Sequence, residues 1–146
     1  MTALKQGFSR ILVAVDGSEV SMRAVEHAAR LAKQDGAELI AMHVVPSPPF
    51  EIPGEVADYY DVARKNAKKW MREVEGVASR FGLGLKSDII VGAFSVVDAI
   101  VGYAETVSVD LIVSGTRGKT PSNRMRMGSV ASGLVEYSSC AVLVVR

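Results

Sequence analysis

The sequence predicts an α/β fold built as a single doubly wound parallel sheet of five strands with helices on both faces, and three observations carry that prediction. Short β-branched apolar runs alternate along the whole chain with segments of helical periodicity. The first of those runs is continuously apolar, as suits a strand covered on both faces. The chain has 146 residues, 49% of them hydrophobic and 23% charged, which is one domain's length with enough apolar surface for a real core.

The elements follow in order. "RILVAVD", Arg10 to Asp16, reads as the first strand and stops at "DGS". From Ser18 to about Gln34 the apolar positions Met22, Val25, Ala28, Ala29 and Ala32 recur at helical spacing, with Ser18 placed as N-cap and Gly36 just past the end. "AELIAMHVV", Ala37 to Val45, reads as a second buried strand. "PSPPFEIPG", Pro46 to Gly54, then holds four of the five prolines and reads as a loop where neither helix nor ladder continues. From Glu55 to Phe81 the residues Val56, Tyr60, Ala63, Ala67, Trp70, Val74, Val77 and Phe81 repeat in alternating fours and threes, one long amphipathic helix. Those positions also form two interleaved heptad series, so a coiled coil is the competing reading; alanines at two seam positions bury little against a partner helix and favour packing on the sheet. "KSDIIVG" reads as a strand, and Ser95 to Thr106 as a helix with Ser95 and Asp98 at capping-box spacing. "VDLIVSG" is the fourth strand, Ser129 to Tyr137 a helix, and "CAVLVVR" the last strand.

Composition excludes several function classes. Seventeen Lys and Arg against sixteen Asp and Glu leave a net charge of +1, so no overall field gathers nucleic acid or an anionic membrane. No apolar run reaches the roughly 18 residues of a spanning helix, and "MTALKQGFSR" lacks the apolar stretch of a signal peptide. The single cysteine, Cys140, makes no internal disulfide. A cytoplasmic protein is the expectation.

Doubly wound sheets bind ligands beyond the carboxyl ends of the strands, where the winding reverses. In an order 3-2-1-4-5 that crevice lies between strands 1 and 4, followed respectively by "DGS" and "GTRGKTPSNRMRMGSVA". Gly115 and Gly118 allow positive φ and close approach of a ligand to main-chain N–H groups, while Gly128 and Ser129 open a helix whose free N–H groups and dipole favour an anion. A phosphate chain is the natural occupant. Arg117, Lys119, Arg124 and Arg126 add local charge, although a loop of solvated cations has the same composition. The spacing G-x-x-G, nine residues, then G-S, set between a strand and a helix, sharpens the signal.

On those residues the chain resembles the universal stress proteins. Gly115, Gly118, Gly128 and Ser129 match the G-x-x-G-x9-G-[ST] motif of the family's ATP-binding branch. "ILVAVDGSEVSMRAVEHAARLA" is similar to its amino-terminal signature, "DLIVSGTRGK" to its fourth strand and turn, and "AVLVVR" to its terminal strand. The resemblance implies one nucleotide-binding domain over residues 1–146, the strand order 3-2-1-4-5, ATP held without a lysine-type P-loop, and a homodimer. It further implies that Asp16 approaches the ribose or, through water or Mg²⁺, the phosphates. Ala14 and Val15 would line the adenine side, the backbone of Val44 would read the adenine edge, and Gly115, Gly118, Gly128, Ser129 and Val130 would hold the phosphates, with Arg117 a candidate beside them. Phe94 stands where the family often has proline, and Ser114 where methionine is common.

Other residues read more plainly. His43 lies inside a predicted strand and is expected to be a hydrogen-bonded core residue. His27 and Cys140 have no partner at metal spacing, so no structural metal is expected. Ser129 has no evident His-and-acid set, which makes it a phosphate-binding hydroxyl rather than a nucleophile. Asp16 also has a capping role open to it ahead of the first helix. An ATP-dependent regulatory module with an unknown protein partner therefore ranks above a slow ATPase, because no general base or water-positioning Gln is apparent. A dimeric interaction protein with an empty pocket ranks below both, since the full glycine motif is present.

Overall fold

The computed structural model describes residues 6–117 and 127–146. The chain runs β1 (Arg10–Ala14), α1 (Glu19–Asp35), β2 (Glu38–Pro46), α2 (Pro53–Arg80), β3 (Lys86–Ala93), α3 (Val96–Thr106), β4 (Leu111–Gly115), α4 (Ser129–Tyr137) and β5 (Ala141–Val145). The strands form one parallel sheet in the order β3-β2-β1-β4-β5, so β1 and β4 lie side by side at its centre with Ile11, Leu12 and Val13 opposite Leu111, Ile112 and Val113.

Side chains alternate across these strands and build two apolar layers. Ile11, Val13, Leu39, Ala41, Leu111 and Val113 pack with α1 and α2. Leu12, Ile40, Met42, Val44 and Ile112 face the other way and pack with Ile100 and Ala104 of α3 and Leu134 of α4. Helices therefore cover both faces, which is why β1 and β4 carry no polar alternation.

Local chemistry fixes the helix ends. Ser18 caps α1, its Oγ accepting from Ser21 N at 3.1 Å, and Gly36 closes it in the left-handed region at φ 66°. Ser95 does the same for α3 through Asp98 N at 3.1 Å. α2 lies on α1 and on strands β2 and β3, with Ala67, Met71, Val74, Val77 and Ala78 buried. The long seam is thus a helix on a sheet, and Met71 and Ala78 widen the stripe that the heptad spacing outlines.

The proline stretch is shorter as a loop than expected. β2 continues to Pro46, where the register with β3 shifts, and α2 begins at Pro53. Proline lacks an N–H to donate, but a ladder's last residue and a helix's first turn need none. β1, conversely, ends at Ala14 rather than Asp16, although Val15 N still donates to Met42 O at 2.8 Å. Among the described residues no helix is long and apolar enough to cross a membrane.

Candidate functional site

Beyond the carboxyl ends of β1, β2 and β4 opens a cavity of about 550 Å³. Of the sequence-predicted site residues, Ala14, Val15, Asp16, Val44, Gly115, Arg117, Gly128, Ser129 and Val130 all line it. Gly118, with Lys119, Arg124 and Arg126, lies outside the described residues.

The cavity has two chemically different ends. Met42, Val44 and Ile100 form an apolar wall continuous with the α3/α4 layer, and Ala14, Val96 and Val130 pack against it. Toward β4 the lining becomes Gly115, Thr116, Arg117, Gly128 and Ser129. Here two hydrogen bonds set the shape: Thr116 N donates to Val145 O at 2.7 Å, and Thr116 O accepts from Gly128 N at 2.5 Å. The start of α4 is thereby tied to the exit of β4.

That tie changes which main-chain groups remain for an anion. Gly128 N–H is engaged by Thr116, so it is not one of the free donors expected there. The amides of Ser129, Val130 and Ala131 precede the first i to i+4 bond of α4, Ser132 N to Gly128 O, and form its open N-terminal turn. Gly115 also differs from expectation, because its φ is not positive. Its glycine is required by packing: a Cβ there would come within 2.7 Å of Val20 Cγ1. The positive φ belongs instead to Gly17, at 83°, in the turn after β1.

Asp16 sits in that turn. Its Oδ1 accepts from Ser18 N at 2.9 Å and from Ser18 Oγ at 2.5 Å, which braces the cap of α1. Asp16 lines the cavity while its Oδ1 serves the cap.

Several lining residues have no motif to announce them. Met42, Val96 and Ile100 look like ordinary strand or helix residues in the sequence, and Pro46 like the first residue of a loop. His43 does hydrogen-bond as expected, its Nδ1 donating to Val15 O at 2.6 Å, yet it also borders the cavity together with Trp70 from α2. Trp70 reads from the sequence as one more seam position. The tryptophan's place at a strand-end crevice becomes visible only from the fold. Cys140 is half-buried away from the site, and burial raises its thiol pKa. Among the described residues no cluster of His, Cys, Asp and Glu is arranged to hold a metal ion.

A doubly wound α/β sheet with its crevice at the switch point between β1 and β4 defines the general class, proteins that take a ligand over the strand ends and against helix N-termini. Within that class, residues 7–146 match the universal stress protein family, and the chain belongs to it. A universal stress protein of Methanocaldococcus jannaschii is 33% identical over 142 residues, covering 95% of this chain and 82% of the relative. Among solved structures, the universal stress protein UspA from Lactobacillus plantarum superposes with a TM-score of 0.87 at 30% identity, covering 97% of this chain and 99% of that one. A universal stress protein in complex with cAMP superposes with a TM-score of 0.68 at 27% identity over 97% of this chain and 98% of its own.

Proposed function

We propose that this protein binds an adenine nucleotide, ATP in the first instance, in the crevice between β1 and β4, and that occupancy switches its affinity for a protein partner in a stress response. The observation that carries the reading is the polarity of the cavity, with an apolar wall at the Val44 end and the open turn of α4 at the other. A purine base fits the first by apolar contact and a hydrogen bond to the backbone of Val44. Phosphates fit the second through the amides of Ser129, Val130 and Ala131, the Ser129 hydroxyl and the Arg117 guanidinium. Asp16, at the turn between the two ends, accepts from a ribose hydroxyl in this reading, or meets phosphate through water or Mg²⁺. The relative solved with cAMP lends support, since its ligand also joins an adenine to a ribose and a phosphate.

A switch is favoured over an enzyme by what surrounds Asp16. Its Oδ1 is committed to the Ser18 cap, which orients the carboxylate as a fixed acceptor rather than as a base ready to take a proton. Donors fixed on the main chain hold ground-state phosphates about as well as a transition state, and such uniform binding does not speed chemistry. The protein is further proposed to work in the cytoplasm as a homodimer. β5 is an edge strand with Val142, Leu143 and Val144 half-buried, and a second copy is the partner such an edge fits.

The direct test is mass spectrometry of the small molecule released from purified protein, with calorimetry of ATP binding to Ser129→Pro. Gly128 has φ −74° and ψ 170°, the backbone that a following proline prefers, and proline is well tolerated at the first helical position. The variant should fold normally yet lose a main-chain donor and a hydroxyl, weakening ATP at least about 10-fold. Unchanged affinity would remove the phosphates from α4.

A further inference from the structure

On the α1/α2 side of the crevice, two contacts converge on the turn that carries Asp16, and a third joins the residues that make them. His43 Nδ1 donates to the carbonyl of Val15 at 2.6 Å, immediately before Asp16. Immediately after it, Gly17 lies so close to Trp70 that a Cβ would overlap the indole at Cε2, Cζ2 and Nε1. The two rings touch each other edge to face, with centroids 5.0 Å apart and planes at 79°. His43 comes from β2 and Trp70 from α2, so two separate elements grip the residues flanking one carboxylate.

The turn needs such support. The described pairing of β1 with β4 ends at Val13 opposite Val113, and β1 itself ends at Ala14. From Val15 to Ser18 the main chain is held by Val15 N to Met42 O and by the cap bonds of Asp16 and Ser18. The cap bonds fix the carboxylate relative to α1. They do not fix the turn relative to β2 or α2; the bonds of Val15 to Met42 and His43 tie it to β2, and the Trp70 packing ties it to α2.

We infer that Trp70 and His43 are positioning residues, a clamp that holds the Val15 to Gly17 turn so that the Asp16 carboxylate faces the ligand in one orientation. This rests on the reading that a nucleotide contacts Asp16. Ligand-binding groups held loosely lose affinity because the binding event must then order them. Linkage makes the effect reciprocal: a nucleotide that fixes Asp16 also steadies Trp70 and the α2 helix it belongs to. The clamp is thus a physical connection from the crevice to α2.

The test is a double-mutant cycle read by ATP calorimetry, with Trp70→Leu made in the wild type and in Asp16→Asn. Expected is a loss of about 10-fold in the wild-type background and under about 2-fold in Asp16→Asn, because the group being positioned is already impaired. Trp70→Phe, which keeps an aromatic edge toward His43, should recover most of the loss. Equal losses in both backgrounds would overturn the proposal, since a direct ligand contact or general damage adds independently. The second measurement is amide exchange at Ser18 in nucleotide-free protein, whose N–H is held by Asp16; it should speed up by about 10-fold in Trp70→Leu while Val13 stays protected. If wild type binds no adenine nucleotide, the nucleotide reading fails by itself, and unchanged exchange at Ser18 would independently remove the clamp.

Discussion

Gly115→Ala separates two reasons for placing glycine at the end of β4. Backbone strain predicts little effect, because Gly115 lies outside the positive-φ region. Packing predicts a large one. An added Cβ would lie 2.7 Å from Val20 Cγ1, 3.2 Å from the Val20 carbonyl carbon and 3.3 Å from Ser21 N. Apolar carbons rest at about 3.5–4.0 Å, so the Val20 methyl must retreat by about 1 Å. Valine has one strongly favoured χ1 in a helix and does not swing aside freely. The two main-chain contacts then require the first turn of α1 to shift as well. Overpacking of this kind costs about 1–3 kcal/mol, and at this chain length each kcal/mol lowers Tm by about 2–4 °C, so a fall of about 2–12 °C is expected. Gly76→Ala and Gly102→Ala are the controls. Both glycines sit inside helices with nothing within 4 Å of an added Cβ, and each change should stabilise by about 0.5–1 kcal/mol. Thermal and urea unfolding followed by circular dichroism compares the three. A Gly115→Ala protein as stable as the two controls would mean that α1 is not seated against the end of β4, and the crevice would lose one of its walls.

Further outcomes follow from the same geometry. Asp16→Asn retains an acceptor for Ser18, so its melting point should change little while ATP affinity falls about 10-fold, with or without Mg²⁺; calorimetry showing wild-type affinity would leave Asp16 only its capping role. Val144→Pro blocks ladder pairing at the β5 edge and should convert a dimer into monomers or aggregates by sedimentation, whereas a wild type that is monomeric at micromolar concentration would refute pairing through β5. Phosphate release from ATP should run far below the ~1 to 10³ per second of ordinary enzymes, and rapid release abolished in Asp16→Asn with binding retained would favour an ATPase. Burial raises the Cys140 thiol, so the folded state prefers the protonated form; that stability is present below the ordinary thiol range and is lost as pH rises through the folded pKa. Cys140→Ala should therefore flatten part of the alkaline decline in urea stability.

The fold was legible because its signals are redundant. Continuous apolar runs such as Ile11 to Val13 mark strands buried on both faces, and the caps at Ser18, Gly36 and Ser95 mark helix ends within a residue or two. The errors fall where one residue type permits two outcomes. Proline ends a helix interior but opens a first turn, and only the surroundings of Pro53 decide between them.

The lining of the crevice was legible in part, and the division has a physical basis. Asp16, Gly115, Gly128 and Ser129 lie at a strand end, in a turn and at a helix start, where an unusual residue needs a local reason and so advertises itself. Met42, His43, Trp70, Val96 and Ile100 occupy the regular elements, where an apolar or aromatic residue is what the period already demands. They border the crevice because the strand order sets the ends of β1, β2 and β4 beside the first turn of α3 and the middle of α2, a long-range relation that no local window contains. The same reasoning accounts for Gly128. From the sequence its N–H is a free donor at a helix start, but parallel pairing of β4 with β5 carries Thr116 to where its carbonyl takes that proton. The amides proposed to meet phosphate are consequently those of Ser129, Val130 and Ala131, one residue along, while at 128 an added Cβ would meet the Thr116 oxygen at 3.4 Å and Arg117 Cα at 3.6 Å, ordinary contact distances, so the described backbone does not itself demand glycine there.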